Sequence, residues 1–172
     1  MHHHHGYTWL GSGHDLLKDG PRRPIHPDFK HSKVVPLELA HWLLKPPAFI
    51  QGTWTDPAQA ADWFGTRARE HADSFASVHD RAPEMLPAKV QGAAKAVAGG
   101  EDVVGGWYLT GQRFLSVCLI GCGPHRLPGH LQKAPAFTPG MSASKTALTC
   151  ASERMFLLLD VLADDCQRWS AA

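Results

Sequence analysis

The stretch from Val103 to Cys122 (VVGGWYLTGQRFLSVCLIGC) constrains this chain more than any other. Two runs rich in β-branched and aromatic residues flank Gly111-Gln112, and a Gly-X pair between such runs predicts a two-residue type II′ turn. Residues 103–110 and 113–121 are therefore expected to form an antiparallel hairpin. Pairing outward from Thr110 and Arg113 sets Leu109 opposite Phe114, Trp107 opposite Ser116 and Gly105 opposite Cys118. Both faces of the second strand are apolar, which predicts a central strand covered on both sides.

Helical periodicity supplies the covering layers. Asp56 and Pro57 suit a helix N-terminus, and Gln59 stands where a capping box wants Glu or Gln. Ala61, Phe64, Ala68, Ala72, Phe75 and Val78 then recur at three- and four-residue steps, predicting an amphipathic helix over about 57–79. A shorter helix is expected from Pro87 to Ala98, stopped by Gly99-Gly100. Pro36 opens a short helix that Pro46-Pro47 ends, and residues 48–54 read as a strand. From about 144 to 168 a stripe through Leu148, Met155, Leu158 and Leu162 predicts a long C-terminal helix, apolar around most of its girth and therefore buried. The expected fold class is α+β: a small antiparallel sheet built on the 103–121 hairpin and packed by helices 57–79 and 144–168.

The N-terminal third reads as less ordered. Gly20, Pro21, Pro24 and Pro27 break residues 11–33 into an extended polar arm. His2–His5 follow Met1 directly and stand open between an appended tag and a native His-rich start. Residues 1–33 are accordingly set apart as start and arm, leaving 34–172 as a single domain.

Bulk composition excludes several functions. A chain of 172 residues with 44% hydrophobic content can bury one substantial core. Its net charge of +1 provides no basic field for binding nucleic acid through counterion release. No apolar run approaches the ~18 residues of a membrane span. Nothing resembles a secretory signal, so a cytoplasmic location is the expectation, and the four cysteines then read as thiols.

Among candidate sites, Cys118, Cys122, His125 and His130 resemble a zinc quartet. Extended geometry removes Cys118: four strand steps of about 3.3 Å separate it from Cys122 by roughly 13 Å, too far for two thiolates on one ion. Cys122, His125 and His130 remain as metal ligands, needing a fourth group or a water. Ser142-Ala-Ser-Lys145 matches S-x-x-K but lacks its companion motifs, so Ser142 reads as a helix cap. Asp160 interrupts the last helix, and Glu101 and Asp102 enter the hairpin; each reads as a structural carboxylate before a catalytic one. Gly105-Gly106 marks either a close backbone approach or a gap for a small ligand.

Three functions follow in order. The first is a small accessory or binding protein with no identifiable catalytic constellation, engaging a protein partner or self-associating through helix 144–168. The alternative is a ligand- or metal-binding domain, or a small enzyme, with its site at loop 122–141 and Cys122, His125 and His130 in it. A nucleic-acid binder ranks last.

Overall fold

The computed structural model describes residues 2–123. Within them the expected α+β class holds: four antiparallel strands form one sheet, with the two longer helices on one face and short turns on the other. The strands are β1 (His3–Ser12), β2 (Gly52–Trp54), β3 (Val103–Leu109) and β4 (Arg113–Cys122), in the order β2-β1-β4-β3. The helices are α1 (Gly13–Leu16), α2 (Pro57–Arg69) and α3 (Met85–Ala98). No helix among the described residues is long and apolar enough to cross a membrane. Loop residues 124–141 and the expected helix 144–168, with the self-association assigned to it, lie outside the described residues.

Strand β4 is central, as its two apolar faces require. It lies between β1 and β3, and every residue from Phe114 to Gly121 is buried. Leu115, Val117 and Leu119 face α2 and α3, where they meet Phe64, Ala68, Val97 and Trp107. Phe114, Cys118 and Ile120 face the other way, toward Tyr7, Trp9, Val35 and Trp42. Alternation along one strand thus supplies two cores.

The hairpin forms, but its register is one residue from the expected one. Leu109 faces Arg113 and Trp107 faces Leu115, so three residues make the connection. The cause is non-local. The Thr110 N–H donates to Ser74 O at 2.8 Å, and the Ala76 N–H donates to Tyr108 O at 2.8 Å. This outer segment draws Thr110 out of the ladder, and Gly111 and Gln112 close the turn with φ of +75° and +59°. The shift carries Trp107 to the side opposite Ser116. There its ring stacks on Phe75 with centroids 5.5 Å apart.

Helix α2 ends at Arg69, earlier than its periodicity implies. Asp56 caps it as expected, its carboxylate accepting the Ala58 N–H at 2.9 Å. Beyond Arg69 a short 3₁₀ turn spans Ala72–Ser74, and Phe75 enters the core through a bridge to Leu109. The apolar spacing of Ala72 and Phe75 is real, but Ala72 opens the 3₁₀ turn and sheet pairing claims Phe75. Val78, the last residue of the expected stripe, is 76% exposed.

The largest correction concerns residues 1–33. His3–Ser12 is the second strand of the sheet, pairing residue for residue with β4 from His3↔Cys122 to Ser12↔Arg113. The histidines are part of that ladder, and His4 is only 3% exposed. Nor does the segment after β1 extend away from the core. It folds as short turns over the second face, with Phe29 and Trp42 buried and the Tyr7 ring stacked on Trp42 at 4.7 Å. Polar side chains tie it down in place of regular structure. Arg22 donates to Val35 O at 2.9 Å and to Leu16 O. Lys45 donates to Phe29 O at 3.0 Å and to Ser32 O.

Candidate metal centre

Strand geometry places the site. Side chains two apart on a strand share a face, so His3 and His5 of β1 project together. The antiparallel register sets Cys122, the last residue of β4, directly across from His3. One imidazole-type atom from each histidine and the Cys122 sulfur all lie within 4.8 Å of one another. All three residues are half-buried.

The spacing suits a small tetrahedral ion. With Zn–N bonds of 2.0–2.1 Å and a Zn–S bond near 2.3 Å, tetrahedral angles put two nitrogens about 3.3 Å apart and a nitrogen–sulfur pair about 3.6 Å apart. The Nε2 atoms of His3 and His5 are 3.2 Å apart, already one edge of that tetrahedron. The rings meet edge to face with centroids 4.7 Å apart. A side-chain adjustment of about 1 Å brings the Cys122 sulfur to coordination distance.

Electrostatics favour the ligating form of His5. Burial, then the neighbouring His3 and His4, holds the His5 pKa below its ordinary value. The imidazole is therefore neutral at pH 7, as a metal ligand must be. Its second nitrogen, Nδ1, lies 2.8 Å from Thr53 Oγ1, and Thr53 faces His5 across the β1–β2 pairing.

The sequence-derived candidates separate clearly. Cys122 belongs to the cluster, while His125, His130, Ser142, Lys145 and Asp160 lie outside the described residues. Cys118 is fully buried beside Ser116 Oγ at 3.4 Å, and burial pushes its thiol up to about 11; it is a core residue. Asp102 is structural, its carboxylate accepting the Gly121 N–H at 2.9 Å. Gly105 and Gly106 make room for aromatic rings, since a Cβ at either would come within 2.7 Å of Phe64 or Phe114 respectively. An open groove of about 1240 Å³ runs between α2, α3 and residues 72–83, and it shares no residue with the cluster.

Sequence reasoning missed His3 and His5 because the histidine run was set aside. A usable signal was present: His3, His5, Tyr7 and Trp9 alternate with His4, Gly6 and Thr8, and β-favouring Tyr, Thr and Trp follow the histidines after a single glycine. What no local pattern contained was the partner strand that brings Cys122 alongside. No protein-family model matches the chain, and no curated protein or solved structure matches it.

Proposed function

We propose that this protein is a metal-binding protein whose ligand is a zinc-type divalent ion, held by His3, His5 and Cys122 at the end of the β1–β4 ladder. The observation that carries this reading is the convergence of two imidazoles and one thiol within 4.8 Å on a hydrogen-bonded strand pair. Mixed nitrogen and sulfur donors suit zinc, and two neutral imidazoles with one thiolate leave it a net charge of about +1. Three protein ligands leave a fourth position for a water or for another group of the protein or its partner. The reading keeps Cys122 from the sequence-derived set and replaces its two loop histidines with strand histidines.

The test is metal content and affinity. Full-length protein carrying no added affinity tag is stripped with chelator, titrated with zinc against a competing indicator, and analysed for bound metal. The expected result is one tightly held zinc per chain. His3→Ala, His5→Ala and Cys122→Ser should each weaken it by at least tenfold. Cobalt substitution should add a thiolate-to-metal charge-transfer band that vanishes in Cys122→Ser. Zinc binding equal in wild type and all three variants refutes the reading. Stoichiometric copper in place of zinc would retain the site and change its metal.

A further inference from the structure

We infer that Thr53 is the positioning residue of this centre, its hydroxyl oxygen accepting the His5 Nδ1–H and so presenting the His5 Nε2 lone pair to the metal. The inference rests on the metal-binding reading above and concerns which histidine is set for ligation before the ion arrives.

A neutral imidazole carries one proton shared between two nitrogens, and the hydrogen bond made by one nitrogen decides the state of the other. His5 Nδ1 lies 2.8 Å from Thr53 Oγ1. With the proton on Nδ1, the hydroxyl accepts it and Nε2 is bare. The 3.2 Å contact between the two Nε2 atoms is then a hydrogen bond donated by His3 Nε2–H to His5 Nε2. In this arrangement the two histidines play different parts. His5 is fixed in its ligating tautomer, and His3 must move its proton to Nδ1 before its own Nε2 can bind. In the metal-free state that His3 proton occupies the place the ion takes.

The register of β2 holds this contact. The strand has three residues and pairs His4↔Trp54, His5↔Thr53 and Gly6↔Gly52. Trp54 projects to the opposite face, where its ring packs on Trp63 of α2 with centroids 4.9 Å apart. That packing pins the register from the far side of the sheet. A slip of one residue would turn Thr53 away from His5, because successive side chains alternate faces. Groups that orient a ligating histidine through its second nitrogen commonly govern metal affinity by 10–100-fold.

The experiment compares wild type, Thr53→Val and Thr53→Ser in the full-length protein. Valine keeps the branched shape and strand preference but removes the hydroxyl; serine restores it. Zinc affinity should fall by about tenfold or more in Thr53→Val and return to within a few-fold of wild type in Thr53→Ser. Melting temperatures measured in chelator should stay together. Nitrogen-15 NMR of the metal-free wild type should show His5 as the Nδ1–H tautomer, with Nε2–H becoming populated in Thr53→Val. A wild type whose His5 is the Nε2–H tautomer overturns the inference whatever the variants do. So does a Thr53→Val protein that binds zinc as tightly as wild type, and in that case the metal reading stands. Zinc held no better by wild type than by His5→Ala overturns both.

Discussion

Lys45 offers the sharpest test of how the second face of the sheet is held. The residue is 5% exposed, and its ammonium sits 4.4 Å from the Phe29 ring centroid and 5.5 Å from that of Trp42. Its only hydrogen-bond acceptors among the described residues are two backbone carbonyls, of Phe29 and Ser32. Burial lowers its pKa from 10.5 to about 8. Between those values the unfolded chain holds a proton that the folded chain has released, so stability rises with pH across the window and the gain is lost as pH falls back through 8. Integrating one proton with a folded value of about 8 gives a rise of about 1 kcal/mol from pH 8 to pH 9. Cys118 acts in the opposite sense. Its thiol is raised from 9.0 to about 11, which costs stability as pH climbs through that range. The two effects separate in a difference experiment. Urea unfolding of wild type and Lys45→Met is followed at half-unit steps from pH 7 to 9.5, and the Lys45→Met profile is subtracted. Cys118 and every other shared group cancel. The difference should climb by about 1 kcal/mol per pH unit above 8. A flat difference would refute the reasoning, showing that the carbonyls and rings stabilise the ammonium as well as water does.

Three further outcomes follow. Saturating zinc should stabilise wild type by about 2.7 kcal/mol when free metal is a hundredfold above Kd, read as a rise in melting temperature that Cys122→Ser cuts to about half or less. Gly6→Ala should destabilise by about 1–3 kcal/mol, because a Cβ there would stand 2.7 Å from Trp63 and 2.8 Å from Trp54; denaturant unfolding checks it, and a neutral result would mean that the tryptophan pair yields freely. Phe75→Ala should cost about 3–5 kcal/mol, since its ring is 1% exposed and stacked on Trp107; a loss under 1 kcal/mol would show that this bridge to β3 is not part of the cooperative core.

Which parts of this architecture a reader of the sequence can recover depends on how far apart the deciding residues lie. The β3–β4 hairpin, the Asp56 cap and α3 are local, and their residue types point to them directly. The hairpin's register was not recoverable, because Ser74 and Ala76 set it from outside the turn. The end of α2 was hidden for a related reason: Phe75 keeps helical spacing while pairing with Leu109. Strand β1 was harder to read, since its first residues are a histidine run with no apolar member, and its burial comes from the layers over its faces as well as from insertion between β2 and β4. Of the candidate site, Cys122 was legible as a thiol at a strand end. Its partners were not, because His3 and Cys122 are neighbours only through a ladder joining the two ends of the described chain. Closing that ladder carries the entropic cost of a loop more than a hundred residues long, though the cost grows only logarithmically with length. An ion bridging His3, His5 and Cys122 would act at the place where that closure is most exposed to fraying, the terminal pair of β1 and β4. Metal binding and the seating of β1 are therefore one linked equilibrium, since the ligand set exists only when the strand is in register. Zinc should slow hydrogen exchange at residues 3–6 and 119–122 more than at residues 9–12 and 113–116, the far end of the same ladder. Equal protection at both ends would show that the ion contributes nothing to holding the strand.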